Sequence, residues 1–145
     1  MIAPAVGVRG PAPVRLRLPA RPESLTVVRQ ALSGVAAVVG LDGEDLDDLK
    51  VAVTEACTNV VLHAYPGSEG PLEVEAWGEP KRMTVLVRDE GAGISPRAHA
   101  DGPGLGLGLQ LIAALAADVR ISADPGRGTE VVMTFGASPR APGLE

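Results

Sequence analysis

A chain of 145 residues fits one domain and is long enough to bury a full core. With 46% hydrophobic residues but a single Trp, Tyr and Phe, that core has to be built from Val, Leu, Ala and Ile. The formal charge of -5 argues against nucleic acid and against an anionic membrane surface as partners, since both are held by Lys and Arg.

Residues 1–13 are rich in Pro, Gly and Ala without periodicity and read as a disordered tail. Val14-Arg15-Leu16-Arg17-Leu18 alternates apolar and basic, the pattern of a half-buried strand, and Pro19 and Pro22 end it. Glu23 or Ser24 then opens a helix on which Leu25, Val28, Leu32, Val35 and Val39 recur at helical spacing, with Gly40 as its stop. Asp42 is the expected N-cap of a second helix. Glu44, Asp45, Asp47 and Asp48 favour its dipole, so this acidic run needs no catalytic role. That helix is expected to run to about Ala64, closed by Pro66-Gly67.

Leu72 to Trp77 alternates as a strand, Gly78 to Lys81 reads as a turn, and Met83 to Arg88 completes a hairpin. Residues 91–103 are a loop, and Leu105 to Ala117 form a third helix. Val119 to Ser122 and Glu130 to Phe135 make a second hairpin across Asp124 to Gly128, and residues 136–145 form a C-terminal tail. The predicted domain, 14–135, is an α/β two-layer sandwich: a mainly antiparallel sheet of about five strands with three helices on one face.

Cys57 stands alone, so no intrachain disulfide can form, and with His63 and His99 as the two histidines a structural zinc site is not indicated. No apolar run reaches membrane-spanning length, and the N-terminus carries Pro and Arg where a signal peptide needs an apolar core. The expected location is the cytoplasm, without a membrane.

Three stretches carry chemistry. Glu55 and Asn59 lie one helical turn apart on a shared face, where a carboxylate can take a proton and an amide oxygen can hold a hard cation. Asp89-Glu90-Gly91-Ala92-Gly93 follows a strand: its glycines let the backbone approach a flat ligand, and its aspartate can accept a hydrogen bond from an exocyclic amine. Gly104, Gly106 and Gly108 alternate into the third helix, where free backbone N–H groups form an anion site. Helix-interior glycine costs about 1 kcal/mol relative to Ala, so three in alternation argue against filler. A Gly-x-x-x-x-Gly-Lys loop is excluded because neither Lys50 nor Lys81 is near. A Gly-x-Gly-x-x-Gly fingerprint is excluded because Leu109 stands where its third glycine belongs.

Glu-x-x-x-Asn, Asp-x-Gly-x-Gly, Gly-x-Gly-x-Gly and Gly128-Thr129, in this order, resemble the GHKL ATPase superfamily over roughly Val14 to Phe135. Within it, Glu55 to Tyr65, including His63-Ala64-Tyr65, is similar to the anti-sigma-factor serine/threonine kinases of bacterial partner switching. The resemblance implies ATP and Mg2+ as cofactors, with Asn59 as metal ligand and Glu55 as base for the attacking hydroxyl. It implies that Asp89, with Gly91 and Gly93, meets the adenine, that Gly104, Gly106 and Gly108 cradle phosphates, and that Thr129 supports the adenine end. The implied partners are a sigma factor and an anti-sigma-factor antagonist phosphorylated on serine, and a homodimer is compatible with it. The lid, Ile94 to Pro103, is short for the family and offers Arg97 and His99 as phosphate partners. A non-catalytic ATP-binding module that switches partners, or an ATPase accessory of a histidine-kinase system, is compatible with the same residues.

Overall fold

A computed structural model of the chain describes residues 14–91, 103–124 and 126–136, and of 103–106 the backbone alone. Along the chain stand β1 (Val14–Pro19), α1 (Ser24–Val39), α2 (Gly43–Asn59), a π-helical turn (Val60–Ala64), β2 (Pro71–Glu79) and β3 (Arg82–Asp89). After them come α3 (Pro103–Leu115), β4 (Asp118–Asp124) and β5 (Gly128–Gly136). The strands form one five-stranded sheet in the order β1-β2-β3-β5-β4, antiparallel at every pairing. The three helices cover one face, as the sequence predicts.

Period-two alternation sets which side chains meet the helices. Leu72, Val74 and Ala76 of β2, Met83, Val85 and Val87 of β3, and Val131, Met133 and Phe135 of β5 are all buried. They pack in one cluster with Val28, Leu32 and Ala36 of α1, Leu49, Val53 and Cys57 of α2, and Ile112 of α3. Burying each larger aliphatic side chain contributes roughly 1.5–3 kcal/mol. Cys57 belongs to this core, and burial pushes its thiol up to about 12, far from the reactive thiolate.

The opposite face of the sheet is polar. Arg88 donates through Nε to Glu73 and through Nη1 to Glu130, each at 2.9 Å, and Arg17 of β1 shares Glu73. The Arg88 guanidinium, helped by Arg17, holds the Glu73 carboxyl below its usual range against the opposing effect of burial.

Several expected boundaries shift. Asp42 occupies the N-cap of α2 with extended backbone, but its side chain makes no capping hydrogen bond. The α-helix stops at Asn59 rather than running to Ala64. The wider π turn keeps Val60 and Ala64 buried and turns Leu62 and His63 outward. The turn expected over Gly78 to Lys81 narrows to Pro80-Lys81, because Gly78 and Glu79 still pair with Met83 and Arg82. Lys81 has a left-handed backbone (φ 63) and donates its N–H to the Val39 carbonyl at 2.6 Å, tying the hairpin to the end of α1. The third helix begins and ends two residues earlier than the expected Leu105 to Ala117. The terminal tails 1–13 and 137–145 lie outside the described residues.

Candidate functional site

Two groups of candidate residues face the ends of this architecture, and the π turn joins them. In the first, α2 directs Glu55 and Asn59 toward α3 at Gly108. A methyl group added at Gly108 would stand 3.1 Å from Glu55 Oε1 and 3.5 Å from both amide heavy atoms of Asn59. The missing side chain at Gly108 gives the Glu55 carboxylate room beside the helix, while the Asn59 amide would meet such a methyl at ordinary contact distance. Both residues are partly exposed, so each can meet a ligand from solvent. Gly104 and Gly106 belong to the start of α3, where backbone N–H groups lack intrahelical acceptors.

In the second group, Asp89 is the last residue of β3 and only 5% exposed. Its Oδ1 accepts the Gly91 N–H at 2.9 Å and the Thr129 N–H at 3.3 Å. Burial pushes its carboxyl above the usual carboxylate range, and these two N–H groups oppose the shift. Among the described residues no hydrogen bond reaches its Oδ2, which makes this oxygen the candidate acceptor for a ligand's donor. Two glycines make this strand end possible. A side chain at Gly91 would collide with the Ala64 carbonyl (2.0 Å), and one at Gly128, whose φ is +109°, with the Asp89 carbonyl (2.1 Å). Thr129 is itself buried in β5 beside Asp89.

The π turn starts directly after Asn59 and ends with the Ala64 carbonyl against Gly91. One five-residue turn therefore connects the amide on α2 to the aspartate turn on β3. Tyr65, next in the chain, was not among the candidate site residues. Its hydroxyl accepts the Glu90 N–H at 2.8 Å and donates to the Pro71 carbonyl at 2.5 Å. Burial raises the phenol above its ordinary range, which keeps it a donor at neutral pH. Two sequence signals pointed to it: it is the single tyrosine of the chain, and it closes the His63-Ala64-Tyr65 run that carries the family resemblance. Gly93 and the lid residues Ile94 to Gly102, with Arg97 and His99, lie outside the described residues. His63 is exposed.

The arrangement offers a buried acceptor for an amine at one end and a proton acceptor with an amide oxygen at the other. Among the described residues no group of three or more His, Cys, Asp and Glu is placed to hold a metal, and no helix is long and apolar enough to cross a membrane.

Three comparisons with known proteins point to one family. Residues 18–135 match the family described as histidine kinase-like ATPase domain. The chain is 36% identical to serine-protein kinase RsbW of Bacillus pumilus over 83% of each chain. It is 34% identical to serine-protein kinase RsbW of Bacillus licheniformis, covering 78% of this chain and 79% of that one. A crystal structure of the RsbU and RsbW domains of a Mycobacterium tuberculosis protein superposes with a TM-score of 0.65 at 26% identity and covers 89% of this chain. This chain spans only 34% of that solved chain.

Proposed function

The chain belongs to the histidine kinase-like ATPase domain family, and from that premise we propose that it is an ATP-dependent protein-serine kinase of a partner-switching pathway. In this reading it holds a sigma factor and phosphorylates a serine of that factor's antagonist, and phosphorylation breaks the complex with the antagonist. The added charge of about -1.5 to -2 is enough to disrupt a packed interface.

The chain's own residues divide the work. Asp89 would accept a hydrogen bond from the adenine amine at its carboxylate, with Gly91, Gly93 and Thr129 beside the base. Asn59 would hold magnesium through its amide oxygen, and the start of α3, with Gly104, Gly106 and Gly108, would receive the phosphates. Glu55 takes the proton of the substrate serine hydroxyl at its carboxylate. A bound nucleotide would supply the phosphoryl group, and magnesium held with it would supply neutralisation of the developing charge.

The observation that supports this reading most is the convergence of Glu55 and Asn59 on Gly108. A proton acceptor and a cation ligand then flank the helix start that would receive phosphates. The similarity to serine-protein kinases over most of their length supports it independently. The test is incubation with labelled ATP and small candidate antagonist proteins from the same genome, followed by mapping of the labelled residue. A label on one serine of one partner is expected. Tight binding of ATP and partner with no label after long incubation overturns the kinase and leaves the nucleotide site standing.

A further inference from the structure

The register of the central hairpin places Leu72 opposite Asp89. The next residues in line are Pro71 and Glu90. Pro71 has no N–H, so a direct rung between them could run only from the Glu90 N–H to the Pro71 carbonyl. That rung is absent, and the Tyr65 hydroxyl stands in its place, accepting from Glu90 and donating to Pro71. The ladder is therefore opened by the width of one oxygen atom at the residue following Asp89.

The wedge is held from behind. A side chain at Gly70 would lie 2.2 Å from the Tyr65 ring, so the ring rests directly on the β2 approach. One position beyond the wedge at Glu90, Gly91 turns back to donate its N–H to Asp89 Oδ1. The direction of Glu90 thus decides whether Gly91 can reach that oxygen.

We infer that Tyr65 is a positioning residue for nucleotide selectivity: its hydroxyl, spliced between β2 and β3, aims the Asp89–Gly91 turn and leaves Asp89 Oδ2 facing the bound base. The inference rests on the reading of Asp89 as the acceptor for an adenine amine. Without the hydroxyl, Glu90 N–H either closes onto Pro71 or goes unpaired. In both cases Gly91 moves and Asp89 Oδ1 loses a donor. Its carboxylate is then held by the Thr129 N–H alone, and the preference for an amine over a carbonyl at the base falls. Contacts to the phosphates, which lie at α2 and α3, are untouched.

The test compares ATP with inosine triphosphate, which carries a carbonyl where adenine carries its amine, by calorimetric titration of the full chain. The wild type is expected to prefer ATP. Tyr65→Phe keeps the ring and removes only the hydroxyl. It should weaken ATP binding by about three- to tenfold, the worth of one hydrogen bond, with inosine triphosphate affinity unchanged. The ratio of the two affinities is what a merely structural tyrosine would not move. If Tyr65→Phe lowers thermal stability but keeps the wild-type ratio, the positioning role is overturned while the Asp89 assignment stands. A wild type that binds both nucleotides equally defeats the Asp89 assignment and the positioning role with it. Should Tyr65→Phe fail to fold, Gly70→Ala, whose methyl displaces the ring and with it the hydroxyl, must reproduce the fall in ratio. An unchanged ratio in a folded Gly70→Ala protein counts against the inference.

Discussion

Thr129 donates its backbone N–H to Asp89 Oδ1 at 3.3 Å across 40 residues of sequence, so β5 holds the carboxylate at the end of β3 in place. The same carboxylate is 5% exposed and carries a pKa raised mainly by burial. An acid whose folded pKa lies above its unfolded one binds more protons when folded. Stability then falls as pH rises from the unfolded pKa through the folded one. Asp89 therefore costs stability at neutral pH.

Asp89→Asn should separate that cost from function. The amide oxygen can still accept the Gly91 and Thr129 N–H groups, and the ionised group is gone. Denaturation at pH 7 should show equal or greater stability, and the loss of stability with rising pH above the usual carboxylate range should diminish. ATP affinity should fall sharply, because the amide presents N–H donors to an adenine amine. A variant that is less stable and still binds ATP as the wild type does would show that Asp89 is a structural acid.

Gly108→Ala tests the first group of residues in the same manner. Alanine is favoured over glycine inside a helix by about 1 kcal/mol. Its methyl, however, would meet Glu55 Oε1 at 3.1 Å, and the partly exposed Glu55 side chain can swing away. The thermal midpoint should stay level or rise, while phosphoryl transfer falls by about 10²-fold through misplacement of the carboxylate. Transfer at the wild-type rate would mean that Glu55 has no fixed place in the reaction.

Asn59→Ala removes the amide oxygen that would hold magnesium. The residue is partly exposed, so the fold should persist. Titrations with and without magnesium should then give nearly the same ATP affinity. A folded variant that keeps the full magnesium dependence would leave Asn59 without a ligand role.

How much of this was legible in the sequence follows from what each signal reports. Alternation along β2 told which side chains are buried, and Leu72, Val74 and Ala76 are. The Glu55–Asn59 spacing told that the two share a face, and both face Gly108. Periodicity reports only which face is buried, so it missed contacts made between distant elements. The Tyr65 hydroxyl reaches Glu90 across 25 residues. The Lys81 N–H is taken up by Val39 on α1, and the Ala64 carbonyl at the end of the π turn packs against Gly91. None of these leaves a pattern within its own stretch of chain.

Lys81 gives a prediction about stability alone. Its left-handed backbone (φ 63) follows Pro80 in a two-residue hairpin turn, the place where glycine is favoured. The left-handed region costs a side-chain-bearing residue roughly 1–2 kcal/mol, part of which glycine loses again in unfolded-chain entropy. Lys81→Gly should raise stability by about 1 kcal/mol in urea denaturation and leave nucleotide binding unchanged. A β-branched residue there should do the reverse. Equal stability of the glycine and β-branched variants would mean that the turn carries no strain.

Glu55→Gln separates a kinase from a module that binds ATP only to switch partners. The substitution keeps the size of the side chain and its place beside Gly108 but removes its basicity. General-base assistance is worth about 10²–10⁴-fold in rate. If Glu55 takes the serine proton, transfer should slow by that order while ATP affinity and magnesium dependence hold. The antagonist complex should then persist, because the phosphorylation that breaks it no longer occurs. A pull-down of the antagonist in the presence of ATP reads this directly: the wild type releases its partner over time, and the variant retains it. Comparison with Gly108→Ala sharpens the result. Both should slow transfer, one by removing the base and the other by moving it, and only the second should recover when a smaller acid, Glu55→Asp, makes room for the methyl group. Undiminished transfer by Glu55→Gln would move the base elsewhere and reduce Glu55 to a neighbour of Gly108.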